Sequence, residues 1–86
     1  MSGANFEVRV LFFSKLREIS GADEIVREVA AGATVGSLLA ELHTEWPELR
    51  RWDDQLLFAV DQEYADRSTE VKPGSEVAVM PPVQGG

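Results

Sequence analysis

The stretch that most constrains the fold runs from Thr34 to Pro47. Val35, Leu38, Leu39, Leu42 and Trp46 recur at helical spacing and make one apolar stripe. Thr34 carries the short hydroxyl side chain that suits an N-cap. Pro47 disfavours helix at Trp46 and ends the element. The pattern predicts a helix from Val35 to about Trp46. One amphipathic helix among segments that alternate as strands must bury its stripe against a sheet, which makes an α+β two-layer domain.

The strands read as follows. In Phe6 to Phe13, the residues Phe6, Val8, Val10 and Phe12 share one face, while Glu7, Arg9, Leu11 and Phe13 share the other, which starts charged and ends apolar. Ser14 to Ser20 suits a short helical turn stopped by Gly21, and Glu24 to Val29 is a second strand. After the helix, Glu48 to Gln55 is a polar loop or short helix anchored by Leu49 and Trp52. Leu56 to Val60 is an almost continuous apolar run, expected to be covered on both faces. A short strand falls at Glu63 to Ala65. Lys72-Pro73-Gly74-Ser75 has its proline and glycine placed for a type II turn. Glu76 to Met80 closes the set, with Val77 and Val79 on one side and Ala78 and Met80 on the other.

This order fits a β-grasp, or ubiquitin-like, roll. It has a mixed four- to five-stranded sheet, the main helix on one face, and the first and last strands parallel in its middle, joined by a right-handed crossover. The expected organisation is a disordered N-terminal tail at 1–5, the domain at 6–80 and a flexible tail at 81–86.

That tail reads Pro81-Pro82-Val83-Gln84-Gly85-Gly86. The prolines fix φ, cannot extend a ladder and stiffen the exit. The glycines lack Cβ and can pass through a channel too narrow for a side chain. Extended, such a tail reaches roughly 20 Å. These features fit a chain whose reactive group is the α-carboxylate of Gly86, presented to another protein's active site. A carboxylate of pKa about 3.5 is a poor acyl donor and needs activation. Adenylation followed by attack of a sulfur nucleophile would leave a thiocarboxylate.

Composition narrows the alternatives. The 86 residues include no cysteine, so disulfides and a cysteine nucleophile are excluded and any sulfur comes from outside. The single histidine, His43, rules out a histidine cluster and is read as a helix-surface residue. A net charge of −7 argues against nucleic acid and anionic membrane as partners. Glu7 and Arg9 interrupt the first apolar run, so no signal peptide is expected there, and no segment approaches the ~20 apolar residues of a membrane span. The expected location is the cytoplasm. Asp61, Glu63, Asp66 and Glu70 lack the spacing and central glycine of a calcium loop. Gly32 to Gly36 lacks the lysine and spacing of a phosphate loop. No metal site is expected.

The chain resembles the MoaD family of ubiquitin-like sulfur carriers, the small subunits of molybdopterin synthase. The likeness rests on Val10 to Phe13, Leu16-Arg17-Glu18 with Gly21, Gly32 to Val35, Leu38-Leu39, Ala59 to Tyr64, Pro73 to Ala78 and Pro81 to Gly86. It implies a protein that is not an enzyme on its own. An E1-like adenylating enzyme, using ATP, would activate Gly86. A sulfur donor protein would supply a persulfide. A MoaE-like large subunit would accept the tail in a heterotetramer, where two transfers to cyclic pyranopterin monophosphate build the dithiolene. No cofactor would be bound to the chain itself. The family's apolar contacts with the large subunit map onto Phe13, Tyr64 and Met80. A carrier serving thiamine, cysteine or tRNA thiolation, and a ubiquitin-like modifier or binding module, remain the alternatives.

Overall fold

A computed structural model describes residues 5–81, the side chain of Asp53 apart. The elements are β1 (Asn5–Phe12), α1 (Lys15–Ser20), β2 (Glu24–Ala30), α2 (Val35–Glu45), a 3-10 helix (Pro47–Gln55), β3 (Leu57–Val60), β4 (Glu63–Ala65) and β5 (Glu76–Met80). The five strands form one sheet in the order β2-β1-β5-β3-β4. β1 and β5 run parallel at its middle, and the other pairs are antiparallel. This is the mixed β-grasp sheet expected. β1 starts at Asn5, one residue earlier than the reading from alternation. Residues 1–4 and 82–86 lie outside the described residues.

The inner face holds the core. Val8, Val10 and Phe12 from β1, Val29 from β2, Phe58 from β3 and Val77 and Val79 from β5 are buried against Val35, Leu38, Leu39 and Leu42 of α2. Each such side chain is worth about 1.5–3 kcal/mol of transfer free energy. Leu16 of α1 and Leu49 of the 3-10 helix, both 0% exposed, close the layer's end. Trp46 sits at that end with its ring edge-on to Phe12, centroids 5.7 Å apart, an arrangement the aromatic quadrupole favours.

The N-terminus of α2 is locked from two directions. Thr34 and Ser37 cap each other reciprocally, backbone amide to side chain, at 3.0 and 3.1 Å. The next donors go to a distant loop: Val35 N–H to the Thr69 carbonyl at 2.9 Å and Gly36 N–H to the Arg67 carbonyl at 2.8 Å. These amides are therefore committed to the chain's own carbonyls, which is the physical reason the Gly32–Gly36 stretch is no phosphate cradle. At the other end Trp46 has left helical geometry, with φ −128° and ψ 83°, before Pro47 starts the 3-10 helix.

One expectation is corrected. The run from Leu56 to Val60 is not covered on both faces. Phe58 is 5% exposed, but Leu57 is 37% exposed. Helix packs on one face of the sheet only, so alternation within β3 leaves Leu57 outside. Among the described residues no helix is long and apolar enough to cross a membrane.

Candidate functional site

The outer face of the sheet is built around β5. The register pairs Arg9 with Glu76, Leu11 with Ala78 and Phe12 with Val79 on one side, and Met80 with Leu57 and Ala78 with Ala59 on the other. Val77 and Val79 point into the core, so Glu76, Ala78 and Met80 line the outer face. Pro81 follows Met80 directly and is half-buried. Pro81 thus lies where the chain leaves the middle of the sheet, with apolar side chains on both flanks.

Phe13 stands on one flank. Continuing the β1–β5 register by one step sets it beside Met80. The chain then reverses: Leu16 N–H donates to the Phe13 carbonyl at 3.1 Å, with Ser14 at φ 54° and ψ −129°. This is type II′ turn geometry, usually a glycine position. It leaves Phe13 outside the core, 44% exposed.

Tyr64 stands on the other flank. It pairs with Ala59 across β3 and β4 and is 84% exposed. Tyr64 and Met80, with Ala59 and Gln62, line one hollow of about 250 Å³. A larger groove of about 580 Å³ runs from Tyr64 past Leu57 to Arg67 at the sheet edge. Of the residues expected at the site, the structure brings Tyr64 and Met80 to one hollow and puts Phe13 across the end of β5. Leu57 joins them and was missed. The signal was present in the alternation of Leu57 against Phe58, but a continuous apolar run hides it. Pro82, Val83, Gln84, Gly85 and Gly86 lie outside the described residues.

The hairpin that carries Tyr64 is held rigidly. Asp61 and Gln62 have φ of 51° and 72°, the type I′ pattern of a two-residue hairpin. The Asp61 amide donates to the Glu76 carbonyl at 2.8 Å, and its carboxylate accepts from the Glu76 amide at 3.0 Å. The turn is thereby tied to the start of β5.

The acidic loop after β4 is structural. Asp66 Oδ1 accepts from the Ser68 amide at 2.9 Å and from the Ser68 hydroxyl at 2.6 Å. Those bonds hold its carboxyl below the ordinary value of 3.8. Among the described residues no group of three or more His, Asp or Glu side chains could hold a metal ion. Trp46 and Trp52 are partly buried against the core end, with Arg27 5.6 Å from the first ring and Lys15 4.9 Å from the second. His43, expected on the helix surface, lies on α2 and is half-buried.

Comparison with known proteins decides the family. The model of the ThiS family matches residues 10–86. The chain belongs to the ThiS family. Among curated relatives, the molybdopterin synthase sulfur carrier subunit of Mycobacterium tuberculosis is 40% identical, over 93% of this chain and 98% of its own length. The subunit of that name from Chlamydomonas reinhardtii is 37% identical, over 93% of this chain and 99% of its own. Among solved structures, small archaeal modifier protein 1 of Haloferax volcanii superposes with a TM-score of 0.81 at 28% identity, covering 91% of this chain and 99% of that one. A complex of subunits 1 and 2 of the molybdopterin-converting factor from Helicobacter pylori contains a chain that matches with a TM-score of 0.63 at 26% identity, covering 94% of this chain and 100% of that one.

Proposed function

We propose that this ThiS-family chain is the sulfur carrier subunit of a molybdopterin synthase, acting in the cytoplasm in molybdenum cofactor biosynthesis, with the α-carboxylate of Gly86 as its reactive group. The observation that carries the reading is the match to sulfur carrier subunits along nearly the whole of both chains, within a family match that runs through Gly86.

The chemistry follows from what a carboxylate can and cannot do. Ionised at neutral pH, it is a poor acyl donor. In an E1-like enzyme it attacks the α-phosphorus of ATP, releases pyrophosphate and becomes an acyl adenylate. A persulfide of the donor protein displaces AMP to form an acyl disulfide, and a thiol of the activating system cleaves its S–S bond, which leaves the thiocarboxylate and a disulfide on the proteins that supplied the sulfur. The thiocarboxylate sulfur then attacks cyclic pyranopterin monophosphate in the large subunit's active site, and water hydrolyses the resulting thioester, which leaves the sulfur on the pterin and returns the Gly86 carboxylate. Two such rounds supply both dithiolene sulfurs, in a heterotetramer holding two copies of each subunit. The chain supplies no catalytic side chain and acts by presentation.

The described geometry supports this division of labour. Pro81 directly follows Met80, and the sequence continues with Pro82. Val83 and Gln84 lead to Gly85 and Gly86, which need only a narrow channel. Phe13, Tyr64 and Met80, joined by Leu57, form the apolar face that seats the large subunit around that tail. The Helicobacter pylori complex of subunits 1 and 2 supports such a partner.

Reconstitution tests it. The chain, an E1-like enzyme, ATP, a sulfide source, the large subunit and cyclic pyranopterin monophosphate should together yield dithiolene product. Deleting Gly86 should abolish turnover and leave the urea midpoint unchanged; full turnover by the shortened chain would overturn the reading. The likeness to an archaeal modifier protein favours one second reading, a carrier that also forms isopeptide bonds through Gly86. Lysine-linked adducts of the chain in cell lysate would distinguish it.

A further inference from the structure

The sheet has two edges, β2 and β4. β4 is three residues long and bounded by turns, whereas β2 has seven residues. The Phe12 amide donates to the Asp23 carbonyl at 2.9 Å. That bond sets the parity of β2. Backbone groups of Ile25, Arg27 and Val29 face β1, and those of Glu24, Val26, Glu28 and Ala30 face away from it. The Ala30 carbonyl is taken by the Ala33 amide at 3.0 Å. The Val26 carbonyl accepts from Arg27 Nη1 at 3.4 Å. The same guanidinium is ion-paired to Glu45 on α2 and lies over Trp46. The outward amides of Glu24, Val26 and Glu28 line an edge that no other strand of the described residues covers.

Side chains on this edge are selective. Val26, 49% exposed, stands between Glu24 and Glu28 on the outer face. A second copy pairs badly in the registers centred on Val26 and on Arg27. An antiparallel copy centred on Val26 sets Glu24 against Glu28, and one centred on Arg27 sets two guanidinium groups opposite each other; both are destabilising.

We propose that the β2 edge is a strand-addition site for an extended segment of a partner protein whose side chains run basic, apolar, basic along the face of Glu24, Val26 and Glu28. Main-chain hydrogen bonds to the outward amides supply the affinity, and the two carboxylates flanking Val26 supply the selection. Arg27 is the gate, since its guanidinium must leave the Val26 carbonyl before a strand can pair there. The site lies at the opposite edge of the sheet from Tyr64, so both can be occupied together. It stands independently of the sulfur carrier reading.

The test titrates the isotope-labelled full chain with an end-blocked Lys-Ile-Val-Ile-Lys peptide, against Glu-Ile-Val-Ile-Glu as control, following amide shifts and hydrogen exchange. The expected result is saturable shifts centred on Glu24 to Ala30, with slowed exchange at Glu24, Val26 and Glu28, for the basic peptide alone. Arg27→Ala should bind about threefold more tightly, the worth of one surface hydrogen bond. A Glu24→Lys, Glu28→Lys double variant should prefer the acidic peptide, which keeps the test open if Arg27→Ala fails to fold. Equal binding of both peptides, shifts confined to the Tyr64 and Met80 face, or no saturable shift would overturn the proposal. Self-association of Arg27→Ala through β2 would also overturn it, since the edge would then take a second copy.

Discussion

Asp61 grips Glu76 twice, donating its amide to the Glu76 carbonyl at 2.8 Å and accepting the Glu76 amide on its carboxylate at 3.0 Å. One turn residue thus fixes the start of the strand whose far end is Met80. Asp61→Ala removes the acceptor from the Glu76 amide and should cost about 1 kcal/mol in urea unfolding. Asp61→Asn keeps an acceptor oxygen and should cost less. A larger loss for Asn than for Ala would contradict the role.

The same turn and the one after β1 carry strain at non-glycine positions. Gln62 has φ 72° and Ser14 has φ 54°. Gln62→Gly and Ser14→Gly should each raise stability, by about 0.5–1 kcal/mol, because the conformations stay and their steric cost goes. Thermal unfolding checks both, and a lower midpoint for either variant would count against the turn assignment.

Gly36 is a packing position. A Cβ there would meet the Arg67 carbonyl oxygen at 3.1 Å. Gly36→Ala lies inside a helix, where alanine is normally favourable. Here it should instead destabilise by about 1–2 kcal/mol, as overpacking against backbone does. A stabilised Gly36→Ala protein would show that the 67–69 loop yields without cost.

Asp66 gives the pH dependence a sign. Its hydrogen bonds from Ser68 lower the folded pKa below 3.8. The stability it contributes is therefore fully present above the unfolded value and is lost as pH falls from there through the lower folded value. Urea midpoints of native protein and Asp66→Asn should differ at neutral pH and converge in acid. A difference that grows on acidification would contradict the assignment.

Much of this was legible in the sequence because periodicity and punctuation agreed. The stripe from Val35 to Leu42, bounded by Thr34 and Pro47, gave α2 almost to the residue. Alternation in Phe6 to Phe12 sorted core from surface correctly, and Pro73-Gly74 marked a turn with Gly74 at φ 76°. What escaped depends on residues distant in sequence or on atypical chemistry. The Gly36–Arg67 contact has no local pattern. Asp61-Gln62 is a type I′ turn without the usual glycine. Leu57 was hidden in a run where every residue is apolar, and only the one-sided placement of α2 decides which face is wet. At the candidate site, strand parity put Phe13 and Met80 on outward faces, and the family resemblance named Phe13, Tyr64 and Met80 together.

The docking reading of that face predicts unequal costs. Tyr64→Ala should weaken binding to the large subunit by about 2 kcal/mol or more, as truncating an aromatic anchor does. Phe13→Asp, Leu57→Asp and Met80→Asp should also weaken it, while Glu70→Lys on the loop behind should not. Calorimetry measures all five, and unchanged affinity for the first four would remove the face from the interface.

The most direct measurement is the intact mass of the chain after incubation with an E1-like enzyme, ATP and a sulfide source, with fragmentation to place any change. The account predicts a gain equal to replacing one oxygen by sulfur, localised to Gly86. A chain whose mass stays unchanged under conditions that activate a known sulfur carrier, or whose added sulfur sits elsewhere, would contradict it.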